Sequence, residues 1–124
     1  MEFLSSPVGN QLTLIMYGIE DKILTQYDQL TKIMSDALKL DNFSILKNIS
    51  YNFKPQGFTA LALLAESHAA IHTYPEYNSL VFNLYTCRSK NDGRNVIEYL
   101  KRNIKHKNIK YSEKPVVVDF EYKG

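Results

Sequence analysis

The chain holds a single cysteine, Cys87, in 124 residues, which excludes an internal disulfide and a cysteine-rich zinc site. In a reducing compartment that residue is a free thiol, and two readings stay open: small apolar filler, or a reacting group. Long apolar runs are also missing. The run over 12–17 is too short for a membrane span or a signal-peptide core, and residues 1–10 have no basic start leading into one. A cytoplasmic protein with no membrane role is the expectation. Charge of one sign is scarce, at a formal net +2. The cluster Lys101, Arg102, Lys105, Lys107 and Lys110 around His106 has no glycine-rich or aromatic reading surface beside it. It reads as a solvated helix face, and nucleic-acid binding is not expected. No repeat or low-complexity tract is found, and Cys87, His68, His72 and His106 make no recognisable metal-ligand set.

What is present is the composition of an ordinary folded domain, 44% hydrophobic and 23% charged. Residues 1–124 form one domain with a real core, but a deep cleft in so short a chain calls for a second copy. The apolar run 12–17, ended by Gly18, predicts a buried strand. Residues 21–40 then carry Ile23, Leu24, Tyr27, Leu30, Ile33, Met34, Ala37 and Leu38 at helical spacing. Alternation returns over 43–53, the turn Pro55-Gln56-Gly57 follows, and strands are expected over 58–64, 69–74 and 80–87. Val96, Ile97, Leu100 and Ile104 give a second helix, 103–114 reads as a polar, mobile connection, and 116–122 as a closing edge strand. The fold class is therefore α+β, a two-layer sandwich with helices on one face of a mostly antiparallel sheet. Its other face needs a cover, and another subunit's sheet is the expected one.

The chemistry concentrates in Glu66-Ser67-His68, Ile71-His72-Thr73-Tyr74-Pro75-Glu76 and Tyr85-Thr86-Cys87. Held in a tight turn, the Ser67 hydroxyl can attack the Glu66 carbonyl and exchange the amide for an ester. A base can then remove the Ser67 alpha proton and eliminate the ester. His72 is the candidate base, since an imidazole takes and returns protons near neutral pH. The dehydroalanine so formed hydrolyses to a pyruvoyl group. An amine substrate forms a Schiff base with that ketone, which makes decarboxylation possible without a bound organic cofactor. Cys87 can supply the proton that completes turnover. Taken singly, Ser67 reads as an ordinary hydrogen-bonding serine, Phe53 as a core aromatic and Glu76 as a solvent-facing acid.

Together these segments, with Pro55-Gln56-Gly57-Phe58-Thr59 before them, resemble the prokaryotic form of S-adenosylmethionine decarboxylase over most of the chain. The resemblance implies self-cleavage between Glu66 and Ser67, into 1–66 and 67–124, with a covalent pyruvoyl cofactor derived from Ser67. It assigns ester elimination to His72, proton donation in turnover to Cys87 and assistance in processing to Thr59. It further implies that Phe53 stacks on the adenine of S-adenosylmethionine, that Glu76 accepts hydrogen bonds from the ribose and that His68 contributes to the cavity. The implied product is the aminopropyl donor of spermidine synthesis, and the implied assembly is a four-layer αββα homodimer with its sites at or near the subunit interface.

Several positions depart from that family's pattern. Gly9-Asn10-Gln11-Leu12 stands where a basic residue and a histidine follow the glycine, Asn83 replaces an aspartate, Arg88 a glycine, Tyr74 a tryptophan and Thr59 a serine. The changes spare Ser67, His72 and Cys87 and fall where substrate recognition can be altered. Two rivals follow: a pyruvoyl-dependent decarboxylase of free arginine or ornithine, and a non-catalytic regulatory homologue.

Overall fold

Period-two patterning sets the architecture. In the computed structural model, which describes residues 6–118, β1 (Val8–Tyr17) turns Leu12, Leu14 and Met16 to one face, where all three are fully buried. The same face receives Phe58, Ala60, Ala62 and Leu64 from β3 (Phe58–Leu64), and Ala69 and Ile71 from β4 (Ser67–Tyr74). Leu80, Phe82 and Leu84 of β5 (Ser79–Thr86) complete it. With β2 (Ile45–Asn52) and β6 (Asn108–Val117) at the edges, the order is β2-β3-β4-β5-β1-β6, and every neighbouring pair is antiparallel.

Two amphipathic helices cover that face, as an α+β sandwich requires. α2 (Tyr27–Leu40) buries Leu30, Met34, Ala37 and Leu38, and α3 (Arg94–Asn103) buries Val96, Ile97 and Leu100. Their spacing of three and four residues aligns them in one stripe. Truncating any of the larger ones to alanine would cost about 2–5 kcal/mol.

The expected single helix over 21–40 is two. α1 (Asp21–Leu24) ends at Thr25, whose backbone N–H makes a helical bond to the Asp21 carbonyl at 3.0 Å and whose hydroxyl shares that acceptor at 2.9 Å. Gln26 then takes a non-helical ψ of 74°. The chain restarts at Tyr27, whose ring stacks on Phe58 with centroids 4.6 Å apart and whose hydroxyl accepts the Gly57 N–H at 3.0 Å.

A second correction falls at the far edge. Most of the expected mobile connection over 103–114 is β6, and the strand expected over 116–122 starts earlier; its residues 119–122 lie outside the described residues. β6 puts Ile109, Tyr111 and Glu113 on the helix side, opposite Met16, Leu14 and Leu12. Glu113 accepts from Arg94 of α3 at 2.6 Å and from the Tyr111 hydroxyl at 2.6 Å. The Arg94 hydrogen bonds hold the Glu113 carboxyl down to about 2, while burial and Glu113 push the Tyr111 hydroxyl up.

Among the described residues, nothing forms a layer on the sheet's other face. Ile49 (59% exposed), Tyr51 (65%), Leu61 (45%) and Leu63 (54%) stand there on β2 and β3. Lys47, Ile49, Leu61, Leu63 and His68 line an apolar hollow of about 360 Å³ between them. No helix among the described residues is long and apolar enough to cross a membrane.

Candidate active site

Sheet pairing places Ser67, at the head of β4, opposite Thr86, the last residue of β5. The next residue, Cys87, therefore falls beside Glu66 in the connection from β3. Three donors converge on the Glu66 carbonyl oxygen: the Cys87 backbone N–H at 3.2 Å, the Cys87 thiol at 2.7 Å and the Ser67 hydroxyl. The Cys87 N–H also reaches Ser67 Oγ, at 2.9 Å. Glu66 is held from behind as well. Its carboxylate accepts the Ser44 backbone N–H at 3.1 Å, and the Ala65 N–H donates to the Ser44 carbonyl at 2.9 Å. A carbonyl ringed by fixed donors, with a hydroxyl on the adjoining residue, is arranged to take up negative charge when that hydroxyl attacks.

A second group forms at the other end of β4. His72 pairs in register with Thr59, and its Nδ1 lies 3.0 Å from Thr59 Oγ1. Glu76 sits in the 3-10 turn Pro75–Tyr77, where its carboxylate accepts from Gln56 Nε2 at 3.4 Å. Gln56 belongs to the turn between β2 and β3, closed by the Phe53 N–H donating to the Gly57 carbonyl at 2.8 Å. Gly57, at φ +101°, lies between the Pro75 ring and Phe53; a Cβ there would be 3.8 Å from Pro75 Cδ and 4.0 Å from Phe53 Cβ. Phe53 is half exposed and meets Tyr51 edge-on, with ring centroids 4.9 Å apart. Thr59, His72, Phe53 and Glu76 thus share one end of the sheet.

The two groups do not meet within one chain. Ser67 and His72 are five positions apart on a continuous strand, a span of about 16 Å at ~3.3 Å per residue. His68, next after Ser67, turns to the uncovered sheet face with its ring against Tyr85 at 5.9 Å. Among the described residues no group of three or more His, Cys, Asp or Glu side chains is placed to hold a metal ion.

The departures read from the sequence acquire places. Asn83 accepts a hydrogen bond from Thr13 at 3.1 Å, in a register that puts it on the uncovered face. Asn10 is fully buried and donates to the Asp92 carbonyl at 2.9 Å. Arg88, expected from its charge to bear on substrate recognition, turns inward to Asp92 and Asp41. Ser44 and Asp92 were not anticipated as parts of the site. Ser44 acts through its backbone, which no side-chain pattern reveals, and Asp92 meets Arg88 across a turn, where four-residue spacing carries no helical signal.

A family profile described as S-adenosylmethionine decarboxylase matches residues 10–115. The S-adenosylmethionine decarboxylase proenzyme of Thermoplasma volcanium is 33% identical over 98 residues, 79% of this chain and 75% of that protein. The proenzyme of the same name from Pyrobaculum islandicum is 34% identical over 103 residues, 82% of each. The crystal structure of the adenosylmethionine decarboxylase from Aquifex aeolicus has a TM-score of 0.82 to this chain, at 23% identity, over 97% of this chain and 99% of that one. At that identity the likeness establishes the shared fold.

Proposed function

Because the chain belongs to the S-adenosylmethionine decarboxylase family, we propose that it cuts itself between Glu66 and Ser67 and then decarboxylates S-adenosylmethionine. The observation that carries the reading is the convergence of the Cys87 N–H, the Cys87 thiol and the Ser67 hydroxyl on the Glu66 carbonyl oxygen. Ser67 Oγ attacks the Glu66 carbonyl carbon, and the two Cys87 donors hold the oxyanion that develops. Collapse breaks the C–N bond and leaves an ester, with the Ser67 amine freed. Removal of the Ser67 alpha proton expels the Glu66 carboxylate, and hydrolysis with loss of ammonia leaves a pyruvoyl group at the head of 67–124. These residues fit the origin of that group, since nucleophile, electrophile and oxyanion donors lie together. Once formed, the pyruvoyl supplies an electron sink for the carbanion left when an amine substrate loses carbon dioxide.

The base for elimination is His72 of a second copy. His72 Nδ1 lies 3.0 Å from Thr59 Oγ1, and in the tautomer whose Nδ1–H donates to that hydroxyl the lone pair is on Nε2, the nitrogen that takes the proton. Two protomers joined by their uncovered sheet faces, about a two-fold axis lying across the strands, bring the Ser67 end of one over the His72 end of the other. Ile49, Tyr51, Leu61 and Leu63 supply an apolar surface for that contact. Phe53 and Glu76 then arrive with His72, the aromatic for the adenine and the carboxylate for the ribose hydroxyls. His68, on the same face, lines the contact beside the cleavage point. In turnover Cys87 returns the proton to the substrate carbon, and the reducing cytoplasm keeps it a thiol.

Intact masses under denaturing conditions, followed by carbon dioxide trapping with S-adenosylmethionine, arginine and ornithine in parallel, test the reading. Fragments 1–66 and 67–124 with a ketone on the latter, and release from S-adenosylmethionine alone, are expected. Release from a free amino acid would reassign the substrate. An uncut chain that releases nothing would put the non-catalytic homologue first.

A further inference from the structure

We infer that Arg88 is a positioning residue that sets the Cys87 thiol against the Glu66 carbonyl by tying the cysteine's loop to the segment 41–44 that also holds Glu66. The inference rests on the processing role given to Cys87 above. Arg88 Nε and Nη2 form a forked pair with Asp92, at 2.7 and 2.9 Å, while Nη1 donates to the Asp41 carbonyl at 2.9 Å. The guanidinium lies over the Phe43 ring, 3.5 Å from its centroid. Thr86, on the other side of the cysteine, is fully buried; its hydroxyl donates to Asp92 at 2.7 Å and accepts the Arg88 N–H at 3.2 Å. Both neighbours of Cys87 are therefore fastened to one carboxylate. Burial alone pushes the Asp92 carboxyl up, but Arg88 and Thr86 bring it below its ordinary value.

The opposite wall is the same stretch of chain. Asp41 and Phe43 receive the guanidinium, and Ser44, one residue on, grips Glu66 through its N–H and Ala65 through its carbonyl. Donor and acceptor of the Cys87–Glu66 contact thus hang from one short segment, with Arg88 as the strut. Lysine keeps the charge but loses the fork and the flat contact with Phe43. Glycine removes the strut and leaves Asp41 and Asp92 without their cation.

The test follows self-cleavage of the full chain for the wild type, Arg88→Lys and Arg88→Gly, with Lys32→Met as a control that loses an exposed ion pair with Asp36 on α2. Arg88→Lys should be cut about threefold more slowly and Arg88→Gly about tenfold, the full contribution of one hydrogen bond from the thiol. Lys32→Met should be cut at the wild-type rate. Once fully processed, Arg88→Lys should have a lower kcat at an unchanged KM, a split that general loosening of the fold does not produce. If Arg88→Gly fails to fold, Arg88→Lys alone decides. Wild-type cleavage with Arg88→Lys unaffected, or with Lys32→Met slowed equally, overturns the inference while leaving the processing reading intact. A wild type that never cleaves removes both.

Discussion

Co-expressing Ser67→Ala chains with His72→Ala chains tests whether the cleavage point of one protomer is served by the histidine of another. Ser67→Ala alone has no nucleophile, and His72→Ala alone lacks the base for elimination. In a mixed dimer, one site joins the intact Ser67 of the His72→Ala chain to the intact His72 of its partner, while the other site carries both defects. Random pairing of equal amounts gives about half of the His72→Ala chains a complementing partner. About half of those chains should then yield a ketone-bearing 67–124 fragment, and the Ser67→Ala chains none. The separation along β4, about 16 Å at the usual strand rise, makes the outcome sharp, because proton abstraction needs heavy atoms about 3 Å apart. No rotation of the His72 side chain closes that gap. Denaturing mass spectrometry distinguishes the two variants and scores the ketone directly, so base-labile ester is not mistaken for product. No ketone above the level of the separate variants would refute the shared site.

Leu61→Glu puts a charge in the middle of the uncovered sheet face; light scattering should find a monomer and mass spectrometry an uncut chain, and a monomer that cleaves normally would contradict the account. Cys87→Ala removes the thiol but keeps the backbone donor to Glu66, so self-cleavage should slow about tenfold, as the loss of one hydrogen bond worth ~1.4 kcal/mol implies. A gel time course that matches the wild type would confine Cys87 to turnover. Because Arg94 lowers the Glu113 carboxyl from 4.5 to about 2, its contribution to stability is complete above pH 4.5 and fades as pH falls toward 2. The Tm gap between wild type and Glu113→Gln should therefore be steady near neutrality and close over that window; a gap that survives at the acid end would dismiss the pair as its source.

The alternation of Leu12, Leu14 and Met16 on β1, and of Leu80, Phe82 and Leu84 on β5, made the helix-facing side of the sheet readable directly. The break at Thr25 was not, because Ile23, Leu24, Tyr27 and Leu30 keep helical spacing straight through it. α1 ends where Gln26 leaves the helical region, at ψ 74°, and the helix that follows is anchored by the ring stack of Tyr27 on Phe58; neither leaves a periodic trace. β6 was hidden by Lys110, Ser112 and Lys114 on its outer side, residues that keep a sheet edge from pairing further. In the site, Ser67, His72 and Cys87 were singled out from the chain, and the structure brings Ser67 and Cys87 to the Glu66 carbonyl; the distance from either to His72 was not legible. Nearness in sequence does not say which copy's His72 lies beside a given Ser67. On an extended strand, five residues carry a side chain across the width of the sheet.

The strand order has a consequence for the life of the molecule. A cut after Glu66 assigns β1, β2 and β3 to one piece and β4, β5 and β6 to the other, yet β1 lies between β5 and β6, and β3 beside β4. The pieces are interlaced, so neither can depart without dismantling the sheet. Before the cut, a chain that opens can close again on its own. Afterwards, recovery needs two separate polypeptides to find each other, a step that slows with dilution and competes with aggregation. Maturation would thus convert a reversible fold into a persistent one whose lifetime is set by how slowly it first comes apart.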